Sequence, residues 1–183
     1  MWKCGRLLAT ALLAALPSVT APAATRTWSG TGNWNETAYW AGGNAPAAGD
    51  DAVIVSGTCT LTNSTPVLKS LTNNATFVFD GNGGSGTNVL LAASNVTVAA
   101  GATMTHAANT DTNGLDGWSP SNRVWIVCTN LTVAAGGTIN ANGRGYKGGY
   151  SYQDYPGAGP GGGGCGSTRG AGGGHGGGGA NSG

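Results

Sequence analysis

Few side chains in this sequence could do chemistry, and they are scattered. Past the first two dozen residues the chain carries Glu36 and six aspartates, of which only Asp50 and Asp51 are adjacent. Cleaving a glycosidic bond takes two converging carboxylates, or a Lys or Arg base, on one face. Neighbours on a strand point to opposite faces, so Asp50 and Asp51 are not expected to converge. His106 stands alone and is expected at the surface, while His175 lies in a glycine tract. Gly143-Arg-Gly-Tyr-Lys-Gly148 matches the dinucleotide-binding spacing, but more glycine follows where a helix should supply the N-terminal dipole. No catalytic residue is assigned. The cofactor expectation is none, with calcium as the one candidate ion. Asp111, Asn113 and Asp116 group oxygen ligands in a glycine-bearing loop, although the bidentate Glu of a complete calcium loop is missing. An ordinary Asx-turn accounts for the same three residues.

The aromatics and cysteines are the other candidates. Trp28, Trp34 and Trp40 fall within thirteen residues, more apolar area than water tolerates. They suit a cap over one end of a core, or a platform for stacking sugar rings. Trp118 and the group Tyr146, Tyr150, Tyr152 and Tyr155 are further exposed-aromatic candidates. Cys59 and Cys128 both sit in strand-like segments and form the candidate disulfide in an oxidising compartment. No cysteine pair has zinc-site spacing.

Lys3 and Arg6, the apolar run Leu7–Leu16 and Ala21-Pro22-Ala23 have the layout of a signal peptide. Cleavage near Ala23 or Ala24 is expected, with a secreted or cell-surface destination and no membrane span in the mature chain. The mature chain then holds six basic and seven acidic side chains. Such a balance has no basic stripe for a phosphate backbone, so nucleic acid is not expected as a partner. Charged residues are 8% of the chain, against roughly 25% in ordinary soluble domains. Solubility must rest on Thr, Asn, Ser and exposed backbone.

The elements that would position these residues read as strands. Residues 52–56, 58–62, 67–71, 76–79, 88–91 and 123–128 are short β-forming runs bounded by Gly, Asn, Asp and Ser. Residues 95–106 return as residues 130–141 with seven of twelve positions identical. Such a cassette is what a chain needs to stack coil on coil, so a β-solenoid is expected over a sandwich. The 35-residue spacing fits one coil enlarged by a loop, or two small coils. Five Asn-x-Ser/Thr triplets, beginning at Asn35, Asn63, Asn74, Asn95 and Asn130, read either as glycosylation acceptors or as corner residues. Residues 143–183 contain 20 glycines in 41 positions, from which disorder is expected. The expected layout is a signal peptide over 1–24, a Trp/Gly-rich cap over 25–50, solenoid coils over 51–142 and a glycine-rich segment over 143–183.

The opening resembles that of secreted bacterial β-helix proteins, including autotransporter-type adhesins. Their units begin Trp-x-Gly-x-Gly-Asn-Trp, then Asn-Trp, then Pro-x-x-Gly-Asp-x-Val-x-Ile. Here those elements are Trp28, Gly30, Gly32, Asn33 and Trp34, then Tyr39-Trp40, then Pro46, Gly49 and Asp50, with Val53 and Val55 each one position later than the pattern sets them. Tyr39 stands where the family has Asn. The resemblance covers about residues 27–80. It implies an all-β, right-handed parallel β-helix, here its front end, in an extracellular setting with polysaccharide or matrix as the partner. It implies no catalytic residue. The alternative is the front of a β-helix polysaccharide lyase or glycoside hydrolase whose active face lies beyond residue 183.

Overall fold

The computed structural model describes residues 22–81, 89–108 and 122–144. All nine strands in these residues pair in parallel. The chain is all-β, a curled parallel sheet compatible with a β-solenoid. No helix among the described residues is long and apolar enough to cross a membrane.

Five rungs stack along one axis. The first is β1 (Thr25–Asn33) and the second β2 (Asp51–Leu61). The third is β3 (Leu68–Asn73) with β4 (Thr76–Phe79), which pair with the two halves of β2. The fourth is β5 (Leu91–Val98) with β6 (Thr103–His106). The fifth holds β7 (Ile126–Val127), β8 (Asn130–Val133) and β9 (Thr138–Ile139). The sequence cassette lies on itself: Val96 pairs with Leu131, Val98 with Val133 and Met104 with Ile139. Its 35-residue step is therefore one coil.

Period-two alternation decides what goes inside. Ala52, Leu71 and Val96 form one buried column, and Cys59, Phe77 and Met104 another. Full burial of a Leu, Val or Phe contributes about 1.5–3 kcal/mol. Among the buried polar side chains of the described residues, Asn73 has no exposure at all. It is satisfied inside, its Nδ2 donating to the Thr103 carbonyl at 3.0 Å and its Oδ1 accepting from Ala75 N–H at 3.2 Å. The amide thus ties the β3–β4 corner to the rung below. Asn74 acts as a corner residue too, donating to the Ile54 carbonyl at 3.2 Å. Asn95 and Asn130, in contrast, lie on strands.

The first rung departs from the sequence expectation. Residues 25–33 form a full-length strand as well as contributing to a cap, because backbone pairing with β2 outweighs the low strand preference of Gly30 and Gly32. The register shifts between Trp28 and Ser29, and Val55 takes up the extra position and turns outward, about half exposed. Gly57, next to this bulge, has φ +79°, and a Cβ there would fall on the Gly30 carbonyl oxygen. Gly57→Ala is expected to cost about 2–3 kcal/mol in chemical denaturation. Gly101→Ala, also at positive φ but with nothing within 4 Å of the new Cβ, should cost about 1–2 kcal/mol.

Candidate binding face

Alternation that buries one set of residues aligns the other set outside. Thr31, Thr58, Thr76, Thr103 and Thr138 form one outward column, a threonine on every rung. Two residues along lie Asn33, Thr60, Val78 and Thr105. On the other half of the sheet Thr27, Val53, Thr72, Thr97 and Thr132 align, beside Thr25, Asp51, Ser70, Asn95 and Asn130. A β-branched residue with a hydroxyl suits a strand position that meets water. Neighbouring rungs bond through these side chains. Thr103 and Thr138 hydroxyls are 3.1 Å apart, Ser29 and Ser56 hydroxyls 2.9 Å, and Asn130 Nδ2 donates to Asn95 Oδ1 at 2.9 Å. Rungs recur about every 4.8 Å and same-face residues about every 7 Å along a strand. The Thr31–Thr138 column and its neighbour contain no charged side chain. Such a lattice offers many weak, neutral hydrogen bonds at regular spacing.

The tryptophans have another task. Trp28 is fully buried and Trp34 and Trp40 are each 2% exposed. Trp40 packs edge-on against Trp28 and Trp34 at centroid distances of 5.3 and 4.7 Å, and Trp34 reaches Phe77 at 6.0 Å. Both hydrogen-bonded indoles are satisfied internally, Trp40 Nε1 by the Trp34 carbonyl and Trp28 Nε1 by the Gly30 carbonyl. Tyr39 lies across Gly30 and Gly32, where any Cβ would meet its ring. The three tryptophans therefore close the first rung and leave no open ring face for a sugar, the reverse of the platform expectation. Trp118 lies outside the described residues, as do Asp111, Asn113 and Asp116. Among the described residues no three His, Cys, Asp or Glu side chains come together in a group able to hold a metal.

An exposed aromatic that sequence reasoning passed over is Trp125, 38% exposed, with the Arg123 guanidinium 4.1 Å from its ring centroid. Alternation was the available signal: Val124, Ile126 and Cys128 pack toward the core, which turns Arg123, Trp125 and Val127 outward.

The adjacent carboxylates do separate, and both are engaged. Asp50 is buried and accepts from Ala24 N–H at 2.8 Å, Ala47 N–H at 3.0 Å and Arg26 Nε at 3.3 Å. These donors, the Ala24 amide foremost, hold its pKa below the ordinary carboxylate value. Asp51 accepts from Ser70 Oγ and from Lys69 Nζ at 2.9 Å, which lower its pKa in that order. Both are kept ionised and neither is poised as a general acid. His106 corrects the surface expectation: it is buried beneath Phe79, and Nδ1 donates to the Ala107 carbonyl at 2.8 Å.

The Cys59–Cys128 pairing is not made, and both thiols are free. Cys59 is on the second rung and Cys128 follows β7 on the fifth, so about 14 Å along the stack alone separates them. A disulfide needs Cα atoms within about 7 Å. Burial raises the Cys59 thiol pKa far above its ordinary value, leaving a small apolar core residue.

Comparison with protein families, characterised proteins and solved structures finds no match for this chain. The face and the cap are therefore read from their own geometry.

Asp50 clamps the segment entering β1 to the segment entering β2, so Asp50→Ala should destabilise the fold by about 1.5–3 kcal/mol at pH 7. The folded-state pKa is lowered, so this stabilisation is complete above the unfolded value near 3.9 and fades as pH falls through the folded value. Urea melts at pH 7 and pH 3 check the sign: the gap between parent and variant should narrow in acid.

Proposed function

We propose that this chain is a secreted or cell-surface, right-handed parallel β-helix with a structural and adhesive role. Its outward threonine and asparagine columns would contact extracellular polysaccharide or matrix. The observation that carries the reading is the unbroken threonine column from Thr31 to Thr138, whose neutral hydroxyls repeat once per rung. An extended neutral polymer can meet such a column at several rungs together, and weak contacts that share one rigid support add up through effective concentration. The signal-peptide layout of residues 1–24 and the Trp-Gly opening motif support the extracellular setting. The cap at the first rung supports an elongated element, because a stack with one closed end grows along its axis.

The enzyme reading draws no support from the described residues, where the only adjacent carboxylates serve as acceptors for the chain itself. Adhesion is tested by retention of the chain on a panel of insoluble and immobilised polysaccharides. At least one neutral polymer should retain it, with little loss in 0.5 M salt, since no ionic contact is involved. Thr76→Asp with Thr103→Asp should weaken retention by tenfold or more without unfolding the chain. Absence of retention across the panel, or equal retention by the double variant, would refute the reading.

A further inference from the structure

The outward face divides near the middle of each rung, and its two halves differ. On the half made by the later residues of β1 and β2 with β4, β6 and β9, two columns run side by side. One is Thr31, Thr58, Thr76, Thr103 and Thr138, and the other Asn33, Thr60, Val78 and Thr105. Asn140 continues the second column, since its N–H donates to the Met104 carbonyl at 2.8 Å, beside Thr105. Thr103 and Thr138 hydroxyls bond each other, and Thr31 accepts from Thr58 N–H. Within the described residues the hydroxyls of Thr58, Thr60, Thr76 and Thr105 bond no group of the chain, so the second to fourth rungs offer them to water. The other half is spent on itself. There Asp51 takes Lys69 and Ser70, and Asn130 donates to Asn95.

Backbone geometry fixes both repeats of the unspent half: about 4.8 Å from rung to rung and about 7 Å between outward residues along a strand. Threonine holds the pattern, because a β-branched side chain has little χ1 freedom to lose on contact. Each threonine presents one methyl and one hydroxyl, so water caged over the methyls is pinned by the hydroxyls at the same period. A flexible polymer needs no match in two directions at once. A crystal does, and the oxygen atoms on a prism face of ordinary ice form a rectangular net with nearly these two repeats. Charge would spoil the fit, since an ionic group orders a shell of water around itself. The two columns contain no charged side chain, whereas the other half carries Asp51 and Lys69.

We propose that this two-column threonine face binds the surface of ice. The inference uses the columns of the adhesive reading but needs no glycan. The gap between the melting and freezing points of a single ice crystal, held in a solution of the full chain, tests it. The parent is compared with T76Y/T103Y and T60K/T105K on the face, and with T72Y/T97Y on the other half. Circular dichroism melts establish which variants are folded, and two different face variants guard against the loss of one. Parent and T72Y/T97Y should facet the crystal and open a gap that grows with concentration. At equal concentration that gap should be at least tenfold wider than in a folded face variant. No gap in the parent, an equal gap in a folded face variant, or a gap lost only in T72Y/T97Y would overturn the proposal. Polysaccharide retention is measured in parallel. Retention with no effect on ice overturns this inference and leaves the adhesive reading standing, whereas an effect on ice without retention upholds it and removes the other.

Discussion

Parallel pairing gives every rung two hydrogen-bonding edges and an interior that only its neighbours can close. This constraint shapes the molecule from end to end. Inside, like residues lie over like, so the core is built as columns such as Ala52, Leu71 and Val96. Outside, the same register aligns Thr31, Thr58, Thr76, Thr103 and Thr138. The face is thus a consequence of the stacking, and it reaches no further than the register holds.

The constraint also makes the ends expensive. At the first of the described rungs the solution is aromatic mass: Trp28, Tyr39, Trp40 and Trp34 pack together and fill its interior. Asp50 completes this closure by gathering two backbone N–H groups and the Arg26 guanidinium on one carboxylate. Charge here is spent on anchoring the chain, which explains why an acidic pair in so neutral a protein does not mark a reaction centre. At the fifth rung, the last among the described residues, Leu131, Val133 and Ile139 are each more than two-fifths exposed.

Much of the architecture was legible because repeats report stacking directly. The cassette at 95–106 and 130–141 announced stacked coils, and the structure pairs its strand residues 95–98 with 130–133 and 103–104 with 138–139. What escaped was whatever depends on connection lengths. Cys59 and Cys128 both read as strand residues, yet only the number of intervening rungs shows that they cannot meet. His106 broke the cassette pattern and suggested exposure, whereas position in the alternation, under Phe79, decided its burial. The Trp motif was legible as apolar mass needing cover. That its backbone also forms the first rung was hidden by Gly30 and Gly32, whose missing side chains make room for Tyr39. Trp125 was readable from alternation alone.

The most direct check of the whole account is a cross-link between adjacent rungs. Cysteines placed at Thr97 and Thr132, outward neighbours on β5 and β8, with Cys59, Cys128 and Cys165 changed to Ser in the chain that starts at Ala24, should oxidise readily to an intramolecular disulfide. The out-of-register pair at Thr97 and Thr138 should stay reduced. If the second pair closes as readily as the first, or the first fails to close in a folded chain, the rungs do not lie over one another and the account is wrong.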